Sequence, residues 1–323
     1  MSPTKHKINL EFTGGHTIAE LLGDRDELIK MIERKYNVDV FILGDDVEIS
    51  GKTKNVKEVS RLIKDLALQV NLGQNINREK ITDSIKIIEN SPEINPHQVF
   101  KDSILVNSGK KIKPRTHGQK KYIDSIKNNT IVFGIGPAGT GKTYLALATA
   151  VEALKEDKIG RIILVKPVVE AGEKLGFLPG DIYDKVNPYL RPLYDALYEM
   201  LDIEKFQQYR DMGIIEVVPL AYMRGRTLND SFILLDEAQN ASPEQMKMFL
   251  TRLGFGSKMV ITGDTTQVDL PSDRQSGLIL MKSILDGIEG IDFVSLTSKD
   301  VVRHELVQKI VDAYKDFDDR INR

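Results

Sequence analysis

Residues 136–143 read Gly136-Pro137-Ala138-Gly139-Thr140-Gly141-Lys142-Thr143, and they are the first in the chain whose types and spacing could do chemistry. The run lies between an apolar stretch, 130–135, and a stretch with helical spacing, 144–154. Glycines let backbone N–H groups turn inward around phosphate oxygens, and a helix that starts at the end of the loop favours an anion at its N-terminus. The pattern Gly-x-x-x-x-Gly-Lys-Thr after a strand and before a helix is that of a phosphate loop. Lys142 is placed to reach the β and γ phosphates of ATP, and Thr143 to ligate Mg2+.

A second run, "FILLDEAQN", is an apolar strand that delivers Asp236 and Glu237 at its C-terminal end, where ligands bind in an α/β sheet. Asp236 suits the Mg2+ shell, and Glu237 suits a general base that polarises the attacking water. A third run, "ITGDTTQVDLP", ends another strand in Gly263-Asp264-Thr265-Thr266-Gln267. Gln267 is expected near the γ-phosphate. Gln119, in "RTHGQKKYIDSI", lies just upstream of the loop strand. Its amide could pair with an adenine edge through one donor and one acceptor.

These residues need a scaffold. From 122 onward, helical stretches alternate with "TIVFGI", "RIILVK", "IIEVVP", "FILLDE", "KMVITGD" and "IDFVSL". Each is a near-continuous apolar run, as expected when both faces of a parallel sheet are covered. The expected fold is α/β, with a mostly parallel, doubly wound sheet. Residues 7–70 read as a separate small unit in the order β-α-α-β-β-α, with its two helices broken at Gly23 and a hairpin at Gly44-Asp45-Asp46. The expected division is 1–75, a connector at 76–121 that is basic at its end, and 122–323. The connector holds one helical stretch, "REKITDSIKIIEN", and Lys110, Lys111, Lys113, Arg115, Lys120 and Lys121 at its end.

Bulk composition narrows the classes. The chain has 323 residues, 41% hydrophobic and 28% charged, as in an ordinary globular protein. The formal net charge is -2, so any nucleic-acid site must come from local patches. There is no cysteine, which excludes disulfides, thiol catalysis and Cys-ligated metals. Five histidines show no ligand spacing. The first residues carry no apolar signal core, and no apolar run approaches the ~18 residues of a membrane span, so a cytoplasmic protein with no membrane partner is expected.

Taken together, the motifs resemble the PhoH family, bacterial P-loop ATPases related to superfamily 1 RNA helicases. "DEAQN", "GDTTQVDLP" and "EAGEKLGFLPGD" are its most specific parts, and the similarity runs over 105–315. The resemblance implies a RecA-like P-loop domain preceded by a small KH-like α/β domain. It matches Gln119 to the adenine-reading glutamine, Lys142 and Thr143 to motif I, Asp236, Glu237 and Gln239 to motif II, and Gly263, Asp264 and Gln267 to motif III. The run "VKPVVEAGEKLGFLPGD" matches motif Ia, which lies along nucleic acid, although Val165-Lys166 stands where the family usually has Thr-Arg. A fork-shaped guanidinium is thereby reduced to a point charge. Lys166, Arg224 and Arg226 are the candidate contacts to single-stranded RNA; surface ion pairing is the competing role for the two arginines. Arg303 is the candidate arginine finger, in cis or across a subunit boundary, against a plain salt bridge on the last helix.

The resemblance also implies a ring-like homo-oligomer, a hexamer, because one motor domain must find its partner surface in another copy. It suggests RNA maturation or decay alongside an endoribonuclease. The turn Gly23-Asp24-Arg25-Asp26 departs from the Gly-x-x-Gly loop of a KH domain and sets two carboxylates where a phosphate would lie. Oligomerisation or partner docking is the expected use of that unit. Two readings of the whole follow: a Mg2+-dependent ATPase coupled to RNA, or an ATP-gated scaffold without unwinding. A small-molecule kinase fits less well, since Glu237 activates water that a kinase must exclude. The tyrosines of "DIYDKVNPYLRPLYDALYEM" could stack bases, with packing as the commoner role.

Overall fold

The computed structural model describes residues 3–23, 26–106, 111–167, 182–270, 276–303 and 305–321. They fall into two compact units, residues 1–102 with 115–117, and 103–114 with 118–323.

In the first unit, β1 (Thr4–Asn9), α1 (Ala19–Leu22), α2 (Glu27–Tyr36), β2 (Val38–Leu43), β3 (Asp46–Gly51) and α3 (Thr53–Asn71) follow the expected order, and α4 (Arg78–Asn90) and α5 (Pro96–Phe100) complete it. The strands form an antiparallel sheet in the order β1-β3-β2, with Ile8, Val47 and Ile42 in register. Gly44 takes φ +60° at the hairpin, as the tight turn requires. One expectation changes. The helical stretch assigned to the connector is α4, and its Ile81, Ile85 and Ile88 are buried in the same core as Val59, Leu62 and Leu66 of α3. Apolar residues at 3–4 spacing seek a core, and here that core is the first unit's own. Arg115, from the basic run, is held by Asp83 of α4 at 2.7 Å and by Glu79 at 2.7 Å.

The second unit opens with β4 (Ile104–Leu105) and β5 (Lys111–Ile112), a short antiparallel pair, and α6 (His117–Asn128). Then come β6 (Ile131–Ile135), α7 (Lys142–Lys155), β7 (Arg161–Lys166), α8 (Ile182–Met200), α9 (Ile203–Asp211), β8 (Ile215–Pro219), β9 (Ser231–Leu235), α10 (Pro243–Leu250), β10 (Lys258–Gly263), α11 (Gly277–Leu285), β11 (Ile291–Ser295) and α12 (Glu305–Ile321). The six strands β6–β11 form one sheet in the order β11-β6-β10-β9-β7-β8, and every pair is parallel.

Each strand serves two cores, which is why the runs are almost uninterrupted in apolar residues. Phe232 and Leu234 face a core shared with α6, α7 and α8. Ile233 and Leu235 face the other, shared with Met246 and Phe249 of α10 and Leu278 of α11. The sheet is therefore covered on both faces, and its side chains alternate between them. Tyr194 and Tyr198 pack edge-on against Phe206, with ring centroids 5.9 and 4.9 Å apart, so packing accounts for both.

Two features of this unit carry energy of opposite sign. Phe133 and Phe293 stack at 4.4 Å across neighbouring strands and favour the fold. Tyr122 is fully buried against Gly134, and its hydroxyl has no hydrogen-bond partner among the described residues. Burial, with the nearby Asp236 charge, pushes its phenol well above the usual range, so it stays neutral. An unpaired buried hydroxyl costs about 1–3 kcal/mol. Tyr122→Phe is therefore expected to raise the thermal midpoint by roughly 2–4 °C for each kcal/mol recovered, read by calorimetry. A lower midpoint would mean that the hydroxyl has a partner after all.

The last helix differs from the rest. Every described side chain of α12 is exposed, including Leu306, Val307, Ile310, Val311, Tyr314 and Phe317. Among the described residues, no helix is long and apolar enough to cross a membrane.

Candidate functional site

The candidate residues meet at the C-terminal ends of β6, β10 and β9, three neighbouring strands. β10 lies between the phosphate-loop strand and the Asp-Glu strand, whereas in sequence β7 and β8 separate them. That order sets the loop of β10 directly between the glycine-rich loop and the Asp236-Glu237 pair.

The loop leaves β6 and enters α7 with Gly139 and Gly141 at φ +84° and +80°, a backbone that side chains rarely adopt. Gly136 has no room for a Cβ, which would lie 2.4 Å from the Leu296 carbonyl oxygen. Thr140 is buried and donates to the Pro137 carbonyl at 2.8 Å, which pins the loop across itself. Lys142 donates from Nζ to the Gly136 and Pro137 carbonyls at 2.6 and 2.9 Å. Burial lowers its pKa, and Asp264, Asp236 and Glu237 act against that shift.

Thr143 and Asp236 are brought together: the hydroxyl donates to Asp236 Oδ1 at 2.6 Å. Thr262 of β10 donates to the same oxygen at 2.8 Å. The sequence reading missed Thr262. Its signal was a lone hydroxyl in the buried apolar run "MVITG". Glu237 follows in a left-handed backbone, φ +53°, a conformation that costs a non-glycine residue of order 1–2 kcal/mol. Its carboxylate accepts from Gln239 Nε2 at 2.6 Å and lies 4.0 Å from the Lys166 ammonium. Gln239 in turn accepts from the Asp264 N–H at 3.0 Å.

Asp264 is held by Thr266 and by Gln267, whose Nε2 donates to it at 2.6 Å. Burial raises its pKa, but the Thr266 and Gln267 hydrogen bonds and the Lys142 charge together outweigh burial, and it stays below the ordinary carboxylate range. A continuous chain of bonds thus runs Glu237–Gln239–Asp264–Gln267. A cleft of about 300 Å³ is lined by Ala138, Lys142, Thr143, Asp236, Glu237 and Gln267, among others.

Other candidates sit as follows. Gln119 is buried and donates from Nε2 to the Thr140 carbonyl at 3.0 Å, so it braces the loop's far side. Arg303 donates from Nη2 to the Ala138 carbonyl at 2.5 Å, and Val302 N–H to the Gly139 carbonyl at 2.9 Å. Arg303 therefore stands over its own chain's loop. Arg226 forms a two-pronged pair with Glu216, at 2.8 and 2.6 Å, which is the ion-pairing role. Arg224 is exposed beyond the short turn Leu220–Met223. In the basic run, Lys120 pairs with Asp124 at 2.9 Å. The motif Ia residues 168–181, Lys110, Asp24, Arg25 and the side chains of Tyr183 and Tyr189 lie outside the described residues.

Mg2+ is implied by the loop, and the donors fit it. Thr143 Oγ1 and the Asp236 carboxylate are hard oxygen ligands side by side at the cleft. No group of three or more His, Cys, Asp or Glu that could hold a metal occurs among the described residues. Two protein oxygens suit a small cation that keeps its waters and shares substrate phosphates.

A parallel doubly wound sheet with this loop and carboxylate pair at its strand ends defines a P-loop nucleotide-binding protein. The family profile described as PhoH-like protein matches residues 111–315, and the chain belongs to the PhoH family. It is 52% identical to a PhoH-like protein of Mycobacterium tuberculosis (strain ATCC 25618 / H37Rv) over 94% of this chain and 86% of that one. With a PhoH-like protein of Bacillus subtilis (strain 168) it shares 48% identity over 91% and 92%. Protein PhoH of Escherichia coli (strain K12) is 43% identical over 62% of this chain and 57% of that protein, so the likeness there is partial.

Proposed function

We propose that this protein hydrolyses ATP with Mg2+ and couples that hydrolysis to single-stranded RNA. The observation that supports hydrolysis most directly is the adjacency of Asp236, hydrogen-bonded to Thr143, and Glu237 on one strand end. The loop N–H groups and Lys142 bind the phosphates. Thr143 and Asp236 would hold Mg2+, which when bound neutralises charge on the β and γ oxygens. Glu237 takes a proton from the attacking water, and Gln239 fixes the direction of its carboxylate. Gln267 reads the γ-phosphate. Arg303 supplies a fixed positive charge beside the loop.

Support for RNA coupling comes from Lys166. Its ammonium stands 4.0 Å from Glu237, at the end of the strand that runs into motif Ia. A phosphate backbone that draws Lys166 away leaves the base free to act on water. Arg224 is the second candidate contact; Arg226 serves only after leaving Glu216.

The test is steady-state ATP hydrolysis with and without single-stranded RNA at low and moderate salt. The expected result is stimulation by RNA that fades with salt and disappears in Lys166→Ala, whose turnover without RNA rises toward the stimulated level because Glu237 is no longer held. Turnover indifferent to RNA but dependent on protein concentration would favour the second reading, an ATP-gated homo-oligomer, a hexamer, that serves as scaffold for a partner such as an endoribonuclease. The ties of Val302 and Arg303 to the loop favour that reading, because they root the exposed α12 at the nucleotide cleft.

A further inference from the structure

The first unit contains a cleft of about 440 Å³ that the nucleotide site does not use. Its floor is the outer face of α3. Lys57, Arg61 and Lys64 follow at i, i+4 and i+7, so they share that face, opposite the buried Val59, Leu62 and Leu66. Lys57 and Lys64 are exposed, and among the described residues neither has an ion-pair partner. Arg61 is committed in a different way. It donates to the carbonyls of Pro92 and Ile94 and, at 3.1 and 3.0 Å, to Asn95 Oδ1. All of these acceptors are neutral, so its full charge remains in the cleft.

The one carboxylate in the lining, Asp65, is turned inward. It is 5% exposed and accepts from the His97 ring at 2.5 Å, the His97 N–H at 3.1 Å and Gln69 Nε2 at 2.7 Å. The rim also holds a histidine whose tautomer is fixed. Ser60 gives its hydroxyl proton to the Val56 carbonyl, so His6 Nδ1 is the donor to Ser60 Oγ at 2.9 Å.

We propose that this cleft binds the phosphodiester backbone of a single-stranded nucleic acid, with Lys57 and Lys64 each on a different phosphate and Arg61 between them. Seven residues of helix separate the two ammonium stems by about 10 Å along the axis, a span that lets each take its own phosphate on an extended strand. A duplex is too wide for a recess of this volume. Lys57, Arg61 and Lys64 answer phosphate charge, which RNA and DNA carry alike, so strands of the same length bind alike. The site lies on α3 and does not involve the turn at 23–26. It does not depend on hydrolysis being coupled to RNA.

The test uses the full chain without ATP and a fluorescein-labelled uridine 12-mer, with anisotropy titrations between 50 and 200 mM salt. Lys57→Ala with Lys64→Ala is expected to weaken binding about tenfold at the lowest salt and to reduce the slope of log K against log salt by about 1.4, at roughly 0.7 per lost single-strand contact. Lys54→Ala, on the same helix but paired with Glu58 at 3.9 Å, should change neither. Basal ATP hydrolysis and the thermal midpoint of the double variant should stay at wild-type values, since both lysines are exposed. The deoxyuridine 12-mer should behave as the RNA does. Wild-type affinity and slope in the double variant would overturn the proposal. So would displacement of the 12-mer by inorganic phosphate at matched phosphate concentration, or a duplex that binds as tightly and loses as much in the double variant.

Discussion

Glu237→Gln is expected to lower ATP turnover by about 10²- to 10⁴-fold while leaving nucleotide affinity near wild type. The amide keeps the shape of the side chain and its acceptor for Gln239, but it cannot take a proton from water. The fold is not at stake: the strained backbone at φ +53° is the same in both proteins. Loss of the carboxylate also removes the charge opposite Lys166, so RNA stimulation should vanish with the turnover. The measurement is single-turnover hydrolysis beside a binding titration with a fluorescent ATP analogue. Turnover within threefold of wild type would assign the base to another residue.

Lys142→Ala is expected to act on binding first. Truncation of one side of a buried charge-assisted contact costs about 2–5 kcal/mol, which is roughly 30- to 4,000-fold in Kd. The geometry argues for the upper part of that range. Lys142 is 9% exposed and stands among Asp264, Asp236 and Glu237. Without the ammonium, three carboxylates face an incoming polyphosphate, opposed by Lys166 at Glu237 and by Arg303 beside the loop but, among the described residues, by no cation at Asp236 and Asp264. Fluorescent-nucleotide titration reads the effect, with a thermal melt to show that the variant is folded. A folded variant that binds ATP within a few-fold of wild type would remove Lys142 from the phosphate site.

Much of this could be read from the chain because buried parallel strands announce themselves. "FILLDE" and "KMVITGD" serve two cores, so nearly every residue is apolar, and the first polar residues mark where the strand reaches its ligand end. The phosphate loop was legible for a similar reason: its glycines and lysine are local requirements. What escaped was long-range. The placement of β10 between β6 and β9 depends on which side each crossover packs, and no short stretch encodes that. Arg226 stays open in the sequence between phosphate contact and ion pairing, because nothing local marks Glu216 of β8, ten positions earlier, as its partner. The helix at 78–90 read as connector because its apolar stripe does not say which core it joins. Thr262 gained meaning only when β9 was set beside it.

The attachment of α12 has a mechanical side. Its root is tied to the phosphate loop at Ala138 and Gly139, and its described side chains touch solvent along the whole helix. Seventeen residues of helix make a rod of roughly 25 Å. A tilt of about 10° at its base would carry its tip through about 4 Å, given that length. The loop is thus fitted with a pointer: a tilt of a few degrees at the phosphate loop becomes a displacement of a few ångströms at the far end of the helix.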